Sequence, residues 1–156
     1  MMVRSLPNYL AIICAVLWVG GIWGIGYVAV PVLFNALPDR QLAGLLAGKM
    51  FSWMAYVGIA CAVYLLAYQI YDLGRRAWKQ ASFLLVAIML VLVLVGQFGI
   101  QPVMADLKAQ AFPLDVMQSA LASQFKALHG FASILYLLQS LLGAGLVIKL
   151  AAKKNS

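Results

Sequence analysis

Charge is what this chain has least of. Only 10% of its 156 residues are charged, its four acids are all aspartate with no glutamate, and it holds a single histidine and two cysteines. Soluble globular domains carry about 25% charged residues, because they must cover themselves with polar side chains. That composition excludes a water-soluble domain and a disordered chain. With one histidine, bis-histidine haem ligation within one chain is excluded. Cys14 and Cys61 each lie inside an apolar run and read as separated, so a disulfide-stapled secreted domain and a four-ligand zinc site are excluded too. All four aspartates fall outside the long apolar runs, which disfavours a proton carrier built on a buried carboxylate relay. Neither a catalytic serine, cysteine or carboxylate arrangement, nor a phosphate loop, nor a dinucleotide fingerprint is legible.

What is there is hydrocarbon. Hydrophobic residues make up 65% of the chain, and the mean hydropathy is +0.98. A charge near the bilayer centre costs about 2.5–3.5 kcal/mol, so charges mark where a chain leaves the lipid. Four charge-free windows can each hold a span of about 20 residues: 5–38, 50–71, 80–105 and 127–148. Continuous runs such as LLVAIMLVLVLVG lack the in–out alternation of a β-barrel strand. The sequence therefore predicts an all-α integral membrane protein, a four-transmembrane-helix bundle forming one domain. Its spans lie at about 8–34, 50–71, 80–104 and 127–148, with outer segments at about 35–49 and 105–126. The N-terminal apolar run continues past the length of a signal peptide and reads as an uncleaved first span.

The basic residues divide unequally. With both termini and the RRAWK connection on one side, that side holds seven basic residues against Asp72; the other holds Arg40, Lys49, Lys108 and Lys126 against Asp39, Asp106 and Asp115. By the positive-inside rule both termini are cytoplasmic, in a multi-pass protein of the bacterial inner membrane. Topology and anionic lipid account for the net charge of +7 without a nucleic-acid partner.

In lipid, small and polar residues show which helix faces meet a neighbour. Gly20 and Gly24 form a G-x-x-x-G pair with Tyr27 and Pro31 continuing the face, a packing surface within the bundle or in a homo-oligomer or larger membrane complex. Gly44 and Gly48 repeat that spacing. The fourth span carries His129, Ser133, Tyr136 and Ser140 on one stripe, and the third carries Gln97, Gln101 and Met104. Tyr27, Tyr56, Gln101 and His129 lie at similar depth, and predict an outer-leaflet polar pocket with Asp39 and Arg40 at its mouth. His129 is ionisable near neutral pH, and with Met104 it is the candidate for soft-metal binding, copper being the metal that imidazole and thioether suit. Pro113 followed by Met117, Leu121, Phe125 and Leu128 predicts one amphipathic helix running into the fourth span. No internal repeat is legible.

The segments LWVGGIWGIGYVAVPVLFNALPDRQLAG and FKALHGFASILYLL carry a family resemblance. The chain resembles the bacterial four-span domain-of-unknown-function proteins related to the vertebrate transmembrane protein associated with cisplatin resistance. The resemblance spans about Leu17 to Val147, with W-x-G-G and L-H-G its clearest marks. It implies the four-helix topology, singles out His129, Gly130, Pro31, Asp39 and Arg40, and permits a transport or metal-tolerance role. W-V-G-G also resembles the first span of copper-resistance membrane domains and of histidine-dependent membrane porphyrinogen oxidases. The latter place a histidine in the first span, where this chain has none.

Three functions follow as expectations. The first is binding or transport of a small solute or soft metal through the polar pocket. The second is a non-catalytic oligomeric scaffold or accessory subunit, and the third a histidine-dependent redox or tetrapyrrole enzyme.

Overall fold

The computed structural model describes residues 5–154. It is 92% helical, with no strand among the described residues. Four helices are long and apolar enough to cross a membrane: Leu6–Ala36, Arg40–Lys79, Ala81–Ala111 and Ala122–Ala151. They are called the first to fourth spans below. The first packs on the second and fourth, and the third on the second and fourth, so the spans close a ring. Short turns at 37–39 and 112–121 lie at one end of the bundle, the distal end, and the Gly74–Lys79 turn lies at the other. Large apolar side chains such as Val16, Leu17, Val91 and Leu141 are exposed around the outside, as a lipid-solvated surface requires.

Local chemistry sets the helix ends. Asp39 caps the second span, its Oδ1 accepting from the Gln41 and Leu42 amides at 2.9 and 3.1 Å. Gly74 closes that helix at φ +54°, a backbone region that glycine enters without steric cost. The chain after Pro113 departs from the single helix that the apolar spacing predicts. Asp115 caps a short 3₁₀ turn, Val116–Gln118, and Ser119 Oγ takes the Leu121 amide. The α-helix then starts only at Ala122. The chain rotates through that turn, so Val116 is buried against Leu107 and Ala111, while Met117 faces out.

Two spans contain a π-helical turn, Gly24–Ala29 in the first and Val95–Ile100 in the third. Each is followed by a proline in the second position of the next helical segment, Pro31 and Pro102. A proline lacks an amide hydrogen, and its ring crowds the carbonyl four residues back, here that of Tyr27 or Phe98. Widening the turn relieves this clash: the Val30 amide bonds to the Ile25 carbonyl and the Gln101 amide to that of Gly96, both five residues back.

The two π turns stand at corresponding places in the first and third spans. An offset of 71 residues takes Pro31 to Pro102 and the first π turn onto the second. It also takes buried Ala15, Trp18 and Ile22 onto buried Val86, Met89 and Val93. An offset of 85 takes Met54, Gly58 and Cys61 on the second span onto Gln139, Gly143 and Leu146 on the fourth, all buried. The chain is thus two helical hairpins whose spans match at these positions, with offsets that differ by 14 residues. The correspondence is confined to these positions and the π turns; elsewhere burial differs, as where exposed Ile12 falls on buried Phe83 and buried Ala62 on exposed Val147.

Close approach in the core uses glycines other than the G-x-x-x-G pair. A Cβ at Gly58 would fall inside the Trp18 indole, 2.9 Å from Cδ1, and one at Gly21 would overlap the Met54 thioether. One at Gly143 would meet both Val19 methyls at 3.2 Å. Gly20 and Gly24 are exposed, with no neighbour within 4 Å of a Cβ, so they do not pack within the bundle. The two cysteines, expected to be apart, come together: Cys61 lies in the main core cluster and Cys14 packs against it, between the first two spans.

Candidate functional site

The residues expected to form one polar pocket divide into separate groups. The first surrounds the π turn of the first span. Tyr27 donates to Ser140 Oγ at 3.0 Å. Tyr136, one turn earlier on the fourth span, donates to the Ile22 carbonyl just before the π turn. The Tyr136 ring also packs edge-on against Tyr27 and Phe51, with centroids 6.4 and 5.1 Å away. Its seat requires glycine at 26, where a Cβ would strike the tyrosine ring.

The second group surrounds the π turn of the third span. Tyr56 packs edge-on against Phe98 at 6.4 Å, with Gln97 and Gln101 half-buried nearby in sequence. The aromatic of each π turn, Tyr27 or Phe98, therefore meets the even-numbered span of the other hairpin. These reciprocal contacts tie the two halves together.

His129 joins neither group. It is exposed at the start of the fourth span, its ring stacked 6.0 Å from Phe125. Ser133 returns its hydroxyl to the His129 carbonyl at 2.8 Å, so the outer half of the polar stripe satisfies its own helix. Gly130 is exposed with open space around it. Met104 is half-buried on the third span. Among the described residues no three His, Cys, Asp or Glu side chains gather where they could hold a metal ion.

Asp39 and Arg40 line a shallow polar groove at the distal end with Pro113, Asp115 and Gln118, about 460 Å³ in volume. Asp39 is committed to its helix cap, and Arg40 is exposed. Beside this groove, beyond the charge-free stretch of the third span, the Lys108 ammonium donates to the Gly44 carbonyl at 3.5 Å and stands 5.4 Å over the Phe125 ring.

The feature that sequence reasoning missed is an apolar crevice of about 460 Å³ between the first and second spans. Ile25 of the π turn and Leu33 form one wall, and Leu46, Met50, Met54 and Val57 the other, with Trp53 and Lys49 at the lip. Its polar signal is one lysine four residues before a tryptophan at the distal end of the second span. Taken singly, these are ordinary interfacial residues.

The ring of four apolar helices defines a multi-pass membrane protein. The chain belongs to a family of unknown function, the DUF4149 domain, which matches residues 13–113. That match covers most of the first span, all of the second and third and both π turns, and ends before the fourth span, where His129 lies. Neither a curated protein nor a solved structure matches the chain.

Proposed function

We propose that this is a bacterial inner-membrane protein, with both termini cytoplasmic, that binds an amphipathic small molecule taken sideways from the bilayer into the crevice between its first two spans. The observation that carries this reading is the crevice itself. It is lined by apolar side chains and opens between spans rather than into a loop, beside a π turn that displaces the backbone of the first span. The basic residues of the opposite end, Arg75, Arg76, Lys79 and Lys149 among them, favour an outer-leaflet position for its lip. At the first π turn Tyr27 is engaged with Ser140 and Tyr136 with the Ile22 carbonyl, so these groups support the hairpin junction better than a solute path.

The test is photolabelling of the membrane-embedded full chain with a diazirine-bearing fatty acid. Label should concentrate on segments 25–33 and 46–57, and Val57→Phe, which fills the inner end of the crevice, should reduce it. Label spread evenly over all lipid-facing helices, unchanged by Val57→Phe, refutes the reading.

A second reading, docking on another membrane chain or a second copy, rests on the exposed Gly20/Gly24 pair. It expects Gly20→Leu with Gly24→Leu to abolish crosslinked oligomers in native membranes; recovery of monomer alone from the unaltered protein counts against it.

A further inference from the structure

Resting on the crevice reading above, we infer that the occupant is a phospholipid with an anionic headgroup, its acyl chain in the crevice and its phosphate on Lys49. Three observations combine. The first is length. Lys49 and Val57 are eight residues apart on one helix, and Leu33 and Ile25 eight apart on the facing one, so the crevice runs about 12 Å along the helix axes. One leaflet of hydrocarbon is about 15 Å deep, half of a 30 Å core. The crevice therefore matches a chain within one leaflet and not a molecule crossing both.

The second is charge. Lys49 stands at the edge of the charge-free stretch, where headgroups lie, and is exposed with no hydrogen bond or ion pair to any described residue. Its neighbours at the lip, Leu33, Leu46 and Trp53, bring no acid to compete for it. The other lysine of this end that faces the bundle, Lys108, is already engaged with the Gly44 carbonyl and the Phe125 ring. The third is the order of the lip. Trp53 lies one helical turn deeper than Lys49 and is exposed, so ammonium, indole and apolar wall follow the polarity gradient of a lipid from phosphate to glycerol to chain.

The experiment is native mass spectrometry of the full chain released from micelles containing equal phosphatidylglycerol and phosphatidylethanolamine. The expected result is one retained lipid per chain, with phosphatidylglycerol favoured about fivefold, the usual effect of one basic residue near anionic lipid. Lys49→Gln should bring the ratio to about one while one lipid is still retained. Lys49→Arg should keep the preference, and so should Lys126→Gln at the same end. Val57→Phe should remove lipid of both kinds.

Equal retention of the two lipids by the unaltered protein, or the same loss of preference in Lys126→Gln as in Lys49→Gln, overturns the headgroup assignment and leaves the amphiphile crevice standing. Retention unaffected by Val57→Phe overturns the crevice reading itself. A lipid-free dimer as the released species means that a second copy fills the crevice, and overturns both.

Discussion

Gly58→Ala is the substitution on which the packing argument stands or falls. Trp18 is fully buried, and its indole lies directly on the Gly58 backbone, where an added Cβ would come within 2.9 Å of Cδ1 and closer still to Nε1. The obstacle is a rigid ring already closed in by the core, so the methyl group must push the first and second spans apart. Overpacking of this kind costs about 1–3 kcal/mol. The gain from replacing a helical glycine with alanine offsets up to about 1 kcal/mol of that, leaving a net loss of about 1–2 kcal/mol. At Gly143 the neighbours are two Val19 methyls at 3.2 Å, which need to give only a few tenths of an ångström. The loss there should stay below about 1 kcal/mol. At Gly20 the space is open, and alanine should leave the monomer unchanged or slightly more stable. The assay is reversible unfolding by sodium dodecyl sulfate in mixed micelles, followed by tryptophan fluorescence. Trp18→Phe in the Gly58→Ala background should recover part of the loss, a coupling of about 1 kcal/mol in the double-mutant cycle. Equal effects at 58, 143 and 20, or additivity of the Gly58 and Trp18 changes, would refute the contact.

Tyr27→Phe and Ser140→Ala remove the same hydrogen bond. Each should cost about 0.6 kcal/mol in the same unfolding assay, and the double variant no more than either alone. Asp39→Ala removes the acceptor for two amides at the start of the second span and should cost about 0.5–2 kcal/mol, detectable as faster hydrogen exchange at Gln41 and Leu42.

The membrane class and the four helices were legible because charge is so scarce here that each ionised residue reports a boundary. Asp39 as the start of a helix was readable from Pro38-Asp39-Arg40 for the same reason that it caps: a short acceptor just before an apolar-periodic run. The π turns were not readable. Pro31 and Pro102 announce some irregularity, but which relief the helix adopts depends on whether neighbouring spans leave room, and that is a tertiary fact. Depth alone brought Tyr27, Tyr56, Gln101 and His129 together in the sequence reading. Depth within the leaflet does not fix what a residue meets: Tyr136 and Ser140 reach the first span, while His129, on the same face of the fourth span two turns nearer the distal end, is exposed with its ring on Phe125. The cysteine pair was missed for the converse reason, since residues 47 positions apart in sequence share both depth and face.

The two hairpins match at some positions and differ at others. Positions that survive the offset with the same burial, Trp18 with Met89 and Gly58 with Gly143, are those where helices touch. The lip of the crevice does not survive it. The same 85-residue offset that matches Gly58 to Gly143 takes Lys49 to Ile134 and Trp53 to Leu138, both exposed and apolar. The second hairpin therefore repeats the scaffold without the cation. The fourth span packs in the ring with apolar residues at both places, so that packing does not need a cation there. Lys49, by contrast, stands in one half only, exposed and unpaired among the described residues at the mouth of an apolar crevice. That asymmetry favours a role for it outside the fold, in contact with a ligand.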